Sequence, residues 1–271
     1  MKKFLPIILM MLLSCSKSEE LTEMNKTTEK NKIDIAEIKK LASKKIYFGH
    51  QSVGYNIIDG LKTIVPSDSG LNIVETSDPK DFTKPVFAHS QNGENCKPET
   101  KIADFVKKMD SGLGNKVDIA FFKLCYVDVT ARTDVNKLFN EYKTEINRLI
   151  GKYPKTIFLH FTVPVTVEDE SLKRIIINLI KKILGRQVTN HVLDNIKRME
   201  YNTLLKNEYG IKIFDLASIE SSDSSDKEIL SVKGRFNHHM LQKKYTYDGG
   251  HLNKEGGEKV ILKLFDFLNN K

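Results

Sequence analysis

The apolar positions of this chain follow two rhythms in turn. Short runs of β-branched and aromatic residues at 45–49, 72–75 ("NIVE"), 117–124 ("VDIAFFKL"), 155–161 ("KTIFLHF") and 211–215 ("IKIFD") alternate with longer stretches. In these, at 53–64, 101–110, 135–150, 169–184, 190–208 and 254–269, apolar residues recur every three or four positions. The short runs read as strands buried on both faces and the long stretches as amphipathic helices, so the order predicts βαβ units around a parallel sheet. The expected fold class is α/β, a three-layer α/β/α sandwich. Two segments exceed what connectors need. Residues 162–210 hold two helical periods where one suffices, and the first, "SLKRIIINLIKKIL", is apolar over a wide arc with Lys and Arg at its flanks. Burial is the expectation for it, with a membrane-surface helix as the alternative. Residues 216–247 are long, polar and without a clear period, as a functional or mobile connection would be.

Ahead of the first strand the pattern changes. "MKKFLPIILMMLLSCSKSEE" has a Lys-Lys start, an apolar run too short to cross a bilayer, and then Leu-Ser-Cys. It reads as an export signal, and "LLSC" resembles the bacterial lipoprotein lipobox, which implies cleavage before Cys15 and lipidation of that residue. Residues 16–35 are polar and charged, as a tether should be. The organisation read from this is a signal peptide at 1–14, a lipidated cysteine and tether at 15–38, and a single domain at 39–271. The expected location is the bacterial cell envelope, with the lipid at Cys15 as the membrane partner and the periplasmic and surface-facing sides both open.

Composition adds limits. With 271 residues and 40% hydrophobic content the chain can bury one sizeable core. The net charge of +8 comes from 43 Lys and Arg against 35 Asp and Glu, scattered rather than blocked, and there is no tryptophan. No basic block is interleaved with aromatics, which argues against nucleic acid as a partner. With Cys15 lipidated, Cys96 and Cys125 remain, and two cysteines in an exported protein predict a disulfide.

Two stretches carry candidate chemistry. In "KKIYFGHQSVGYNIIDGL", residues 44–61, a β-prone run meets a turn and then a helical stripe, which puts Ser52 at a strand-to-helix corner, a place where α/β enzymes expose a nucleophile or hold an anion. In "YDGGHLNKEGGEKVILKLF", 247–265, Asp248 and His251 stand three apart in a Gly-rich loop before the last helix. A carboxylate on one ring nitrogen of a histidine fixes its tautomer and leaves the other nitrogen to take a proton. Together, in an α/β/α chain, they resemble the SGNH/GDSL hydrolase family, whose first block carries Gly-Asp-Ser and whose last carries Asp-x-x-His. The resemblance implies a flavodoxin-like sheet and a serine esterase that needs no cofactor and no metal, with Ser52 as nucleophile, His251 as general base and Asp248 as its orienting carboxylate. It implies a small-molecule or glycan ester as substrate; a ligand-binding protein on the same fold is the alternative.

The chain departs from the family pattern at two of its blocks. "GHQS" replaces Gly-Asp-Ser with one additional residue, leaving Gln51 to shape the site or simply to make the turn, and His50 to bond within the site or pack beneath it. Gly93, in "HSQNGENC", matches the family's second-block glycine and would donate its N–H to the oxyanion. Where the family places Gly-x-Asn-Asp, this chain has "KLCYVDV", with no asparagine; Lys123, Tyr126 or Asp128 would serve instead, or Asn92 would supply the donor. A Cys96–Cys125 bridge would tie these two loops together. His89 and His160 fall at the same sheet edge, and the adjacent His238 and His239 lack the further ligands a metal site needs.

Overall fold

The structure is a computed structural model that describes residues 34–168, 190–233 and 236–271, with positions 171, 176, 179, 180, 183 and 184 between them. The signal, Cys15 and most of the tether lie outside the described residues. The compact unit Ile35–Lys271 includes the helix α1 (Ile35–Ala42), whose Ile38 and Leu41 are buried.

A parallel sheet forms the middle layer. Its strands are β1 (Lys45–His50), β2 (Ile73–Glu75), β3 (Val86–Gln91), β4 (Ile119–Phe122) and β5 (Ile157–Phe158), ordered β2-β3-β1-β4-β5. Beyond Leu159, whose N–H donates to Ala120 O at 3.1 Å, β6 (His160–Phe161) pairs in parallel with β7 (Ile213–Phe214), so the parallel order continues outward. The chain leaves β1 toward β3 on one side and β4 on the other. A switch of direction of this kind opens a crevice at the carboxyl ends of the strands, and the α/β/α class with a parallel sheet is the one expected.

Strand alternation sorts the aromatics between the two faces. Tyr47 and Phe122 join Phe105, Leu138, Tyr142, Ile146 and Tyr201 in the core under α3 (Pro98–Asp110), α4 (Val135–Lys152) and α5 (His191–Tyr209). On the opposite face Phe48, Phe121, Phe161 and Phe214 run ring to ring at 4.8–4.9 Å, and Phe214 meets Phe267 of α7 (Lys254–Asn269) at 5.5 Å. That face is covered by α7 together with α2 (Val53–Ile64) and α1.

Three differences from the sequence reading have physical causes. The strand β3, which pairs with β1 from Lys45↔Val86 to His50↔Gln91, lies where a polar loop was expected. Its second half is polar because those side chains pair across the sheet: Tyr47 Oη with Ser90 Oγ at 2.7 Å, and His50 Nε2 with His89 Nδ1 at 3.1 Å. Within 216–247 the chain forms α6 (Leu216–Ser221) and an antiparallel hairpin, β8 (Leu230–Lys233) with β9 (Phe236–His239). Finally, the described positions of the 169–184 stretch, Ile176, Leu179, Ile180, Ile183 and Leu184, are all exposed, reaching 75% at Ile183. The layer beside β6 and β7 is already filled by α5, whose Val192, Tyr201 and Leu205 are buried.

The irregular segment after β6 is held by side chains in place of a strand. Asn202 accepts from Val163 N and donates to Val163 O, Asn195 does the same with Thr166, and Glu220 accepts from Val165 N at 2.8 Å. Burial raises the Glu220 carboxyl to about 8, against the lowering effects of the Val165 N–H, Lys123 and Arg198. A raised folded value means stability that is complete below the unfolded value of about 4.5 and is lost as pH rises through about 8. Glu220→Gln is therefore expected to flatten the fall in urea-unfolding midpoint between about pH 5 and about pH 8; an unchanged slope would contradict it.

Candidate active site

Ser52 ends the turn between β1 and α2 with φ 53° and ψ −115°, backbone angles that a non-glycine residue adopts only under strain of about 1–3 kcal/mol. The turn is held from both sides: Gly54 N donates to Gln51 O, Tyr55 N to Ser52 O, and the Gln51 side-chain amide to Gly93 O. Ser52 Oγ lies 2.6 Å from His251 Nε2. His251 Nδ1 lies 2.6 Å from Asp248 Oδ2, while Asp248 Oδ1 accepts the N–H groups of His251 at 2.8 Å and Gly250 at 2.9 Å. Partial burial alone would raise the Asp248 carboxyl, but these N–H groups and the His251 ring hold it at about 2. With the carboxylate on Nδ1–H, Nε2 is the acceptor and the serine hydroxyl donates to it.

These residues, 199 apart in sequence, meet because α2 and α7 dock closely. A Cβ on Gly60 would stand 3.0 Å from Gly257 O, tighter than ordinary van der Waals contact, and Asn56 Oδ1 of α2 accepts from Leu252 N beside the histidine. Tyr126 completes the cluster: its ring meets His251 edge-on at 5.7 Å and its phenol lies beside Ser52. Burial first, then the Asp248 charge, raises that phenol, so it stays protonated at neutral pH.

The other expected site residues lie elsewhere. Gly93 gives its N–H to Asp104 Oδ2 at 3.0 Å, so it faces α3 and not the crevice. Asn92 is fully buried and donates to Lys101 O at 2.8 Å. Lys123 is sealed beneath the corner, 3.5 Å from Cys125 Sγ. Asp128, also without exposed side chain, accepts from Lys101 Nζ at 2.5 Å, Cys96 N at 2.9 Å and Cys125 N at 2.6 Å. The disulfide is absent: Cys96 is an exposed thiol and Cys125 a buried one whose Sγ donates to Gln51 O. The two loops are joined by the Asp128 carboxylate instead, which makes a covalent link superfluous. His50 and His89 pair under the corner, where burial first and then Lys123 hold His50 at about 2 and therefore neutral. His160 bonds Tyr142 Oη at 2.8 Å, and His238 and His239 bond Glu168 and Glu228 at 2.5 Å each. Arg198, which no sequence pattern marks, lies buried behind Tyr126 and donates to its carbonyl at 3.0 Å.

Two cavities, of about 500 and 410 Å³, open beside Tyr126 and share it with Thr166 and His191. Asp248, Gly249 and Gly250 line the larger.

No family model and no curated protein matches this chain. Among solved structures it is similar to a Streptococcus pneumonia protein described as a platelet activating factor, at TM-score 0.49 and 17% identity over 97% of this chain and 98% of that one. It is also similar to an SGNH hydrolase from Slackia heliotrinireducens, at 0.46 and 12% over 83% and 99%, and to the acetyl xylan esterase AlAXEase, at 0.45 and 16% over 82% and 98%. The assignment of fold rests on the sheet order itself.

Two outcomes check the loop arrangement. Alkylation followed by mass mapping of the native protein is expected to label Cys96 and to reach Cys125 only after unfolding; a Cys96–Cys125 peptide would refute it. Asp128→Ala strands the buried Lys101 charge and is expected to cost about 3–5 kcal/mol in chemical denaturation.

Proposed function

We propose that the chain is an exported serine esterase, lipid-anchored through Cys15 in the bacterial cell envelope, that hydrolyses an O-acyl ester by way of an acyl-serine. One observation carries this reading: the continuous relay Ser52 Oγ to His251 Nε2, and His251 Nδ1 to Asp248 Oδ2, at 2.6 Å each. Ser52 Oγ attacks the ester carbonyl as His251 takes its proton. Asp248 keeps Nδ1 protonated and stabilises the imidazolium that forms. Collapse of the tetrahedral intermediate breaks the bond to the alcohol, which leaves with the proton from His251, and water reverses the sequence to release the acid. The oxyanion donors in this reading are the Ser52 N–H at the head of α2 and the Tyr126 phenol. Tyr126 stands beside the nucleophile, where its O–H is placed to donate to the neighbouring oxyanion. The substrate is taken to be an O-acetylated carbohydrate, in keeping with the threonine, lysine and tyrosine side chains along the crevice.

A protein that holds a ligand without turning it over is the second reading. It is favoured by the Gly93 N–H and the Asn92 amide being engaged elsewhere. Hydrolysis of p-nitrophenyl acetate separates the two. Ser52→Ala is expected to lower kcat by about 10³-fold or more, and Tyr126→Phe by about 10²-fold with unchanged unfolding midpoint. Equal rates for Ser52→Ala and the parent protein would leave the ligand-holding reading in place.

A further inference from the structure

The smaller cavity contains two buried charged groups, unpaired with each other, that the relay does not use. Arg198 of α5 is 2% exposed, yet no carboxylate lies within ion-pair distance of it among the described residues. Its Nε donates to Tyr126 O and Val129 O at 3.0 and 3.1 Å, and its Nη1 to Thr166 Oγ1 and Asn195 Oδ1 at 2.9 and 2.7 Å. All four acceptors are uncharged. Nη2 makes no hydrogen bond among the described residues. One turn earlier on α5, Asp194 is 4% exposed; its Oδ1 accepts from Ala131 N at 2.8 Å, and Oδ2 has no partner among the described residues. Arg198 and Asp194 both line the cavity, with Thr130, Thr133, His191 and Tyr126 around them.

Charge selects the ligand. Asp128, on the same wall, is neutralised by Lys101, so the described lining of the cavity presents one guanidinium and one unpaired carboxylate. An anion drawn to Arg198 would be repelled by Asp194, and a cation the reverse. A vicinal diol satisfies both, because one hydroxyl oxygen accepts from Nη2 while another hydroxyl donates to Oδ2, and the threonine hydroxyls extend the set. A buried donor and acceptor that are bridged only by the right ligand also penalise ligands that lack those groups.

We infer that this cavity is a subsite for a neutral sugar ring, and, on the esterase reading above, that it holds the alcohol part of the ester beside Tyr126 and Ser52. Asp194 and Arg198 then act as specificity-determining residues.

The test compares Asp194→Asn, which keeps the Ala131 bond but removes the free carboxylate oxygen, with the parent protein. Acetylated xylotriose and p-nitrophenyl acetate are the two substrates. The ratio of kcat/KM for the sugar ester over the aryl ester is expected to fall tenfold or more, with the change in KM; equal losses on both substrates, or an unchanged ratio, would overturn the subsite. Calorimetric titration of the Ser52→Ala protein with neutral trisaccharides of xylose, glucose and N-acetylglucosamine separates this inference from the esterase reading. Binding of one of them, weakened tenfold or more by adding Asp194→Asn and stronger than that of a uronic-acid trisaccharide, supports the subsite even without turnover. Failure of every neutral trisaccharide to bind, or preference for the acidic one, refutes the subsite even if Ser52 proves to be a nucleophile.

Discussion

The candidate site depends on how closely α2 approaches α7. Each helix follows one half of the relay, Ser52 at the head of α2 and the Asp248–His251 loop just before α7. Their glycines Gly60 and Gly257 remove the side chains that would hold the helices apart. The Asn56 side chain then fixes the loop to α2 through Leu252 N. A shift of even one side-chain width at this contact would stretch a 2.6 Å hydrogen bond beyond reach.

A second constraint works from below. The Asp128 carboxylate collects Lys101 and two backbone N–H groups, one from each crevice loop, and Arg198 holds the Tyr126 carbonyl from behind. Both devices spend buried charge on position rather than on net stability. Gly93 and Asn92 are part of the scaffold under the loop, and Tyr126 stands beside Ser52 and His251.

Periodicity made most of the frame legible. The helices at 53–64 and 254–269 and the apolar strands follow from side-chain spacing, because burial on one stripe or on both faces leaves a repeat in the sequence. β3 was not legible, since the Ser90 hydroxyl and the His89 Nδ1 of its polar half find their partners on Tyr47 and His50 of the neighbouring strand. The same limit hid the hairpin at 230–239, whose His238 and His239 find their carboxylates far along the chain or across the loop. The exposed apolar residues Ile176, Leu179, Ile180, Ile183 and Leu184 show the opposite error: an apolar repeat predicts a helix face, but whether anything packs on that face is decided by what already fills the layer.

By itself the sequence determined the alternation of elements, the corner that carries Ser52 and the Asp-x-x-His spacing of its partner, because these are local matters of backbone geometry and side-chain period. Only the tertiary structure decided which donors and acceptors are spent. Gly93, Asn92, Lys123 and Asp128 are the residue types a crevice would use, yet each turns inward to a partner that the chain brings near only on folding. Arg198 and Asp194 carry no motif and still face the cavity. A hydrogen bond between residues far apart in sequence leaves no periodic trace, so chemistry that rests on such bonds becomes readable only in three dimensions.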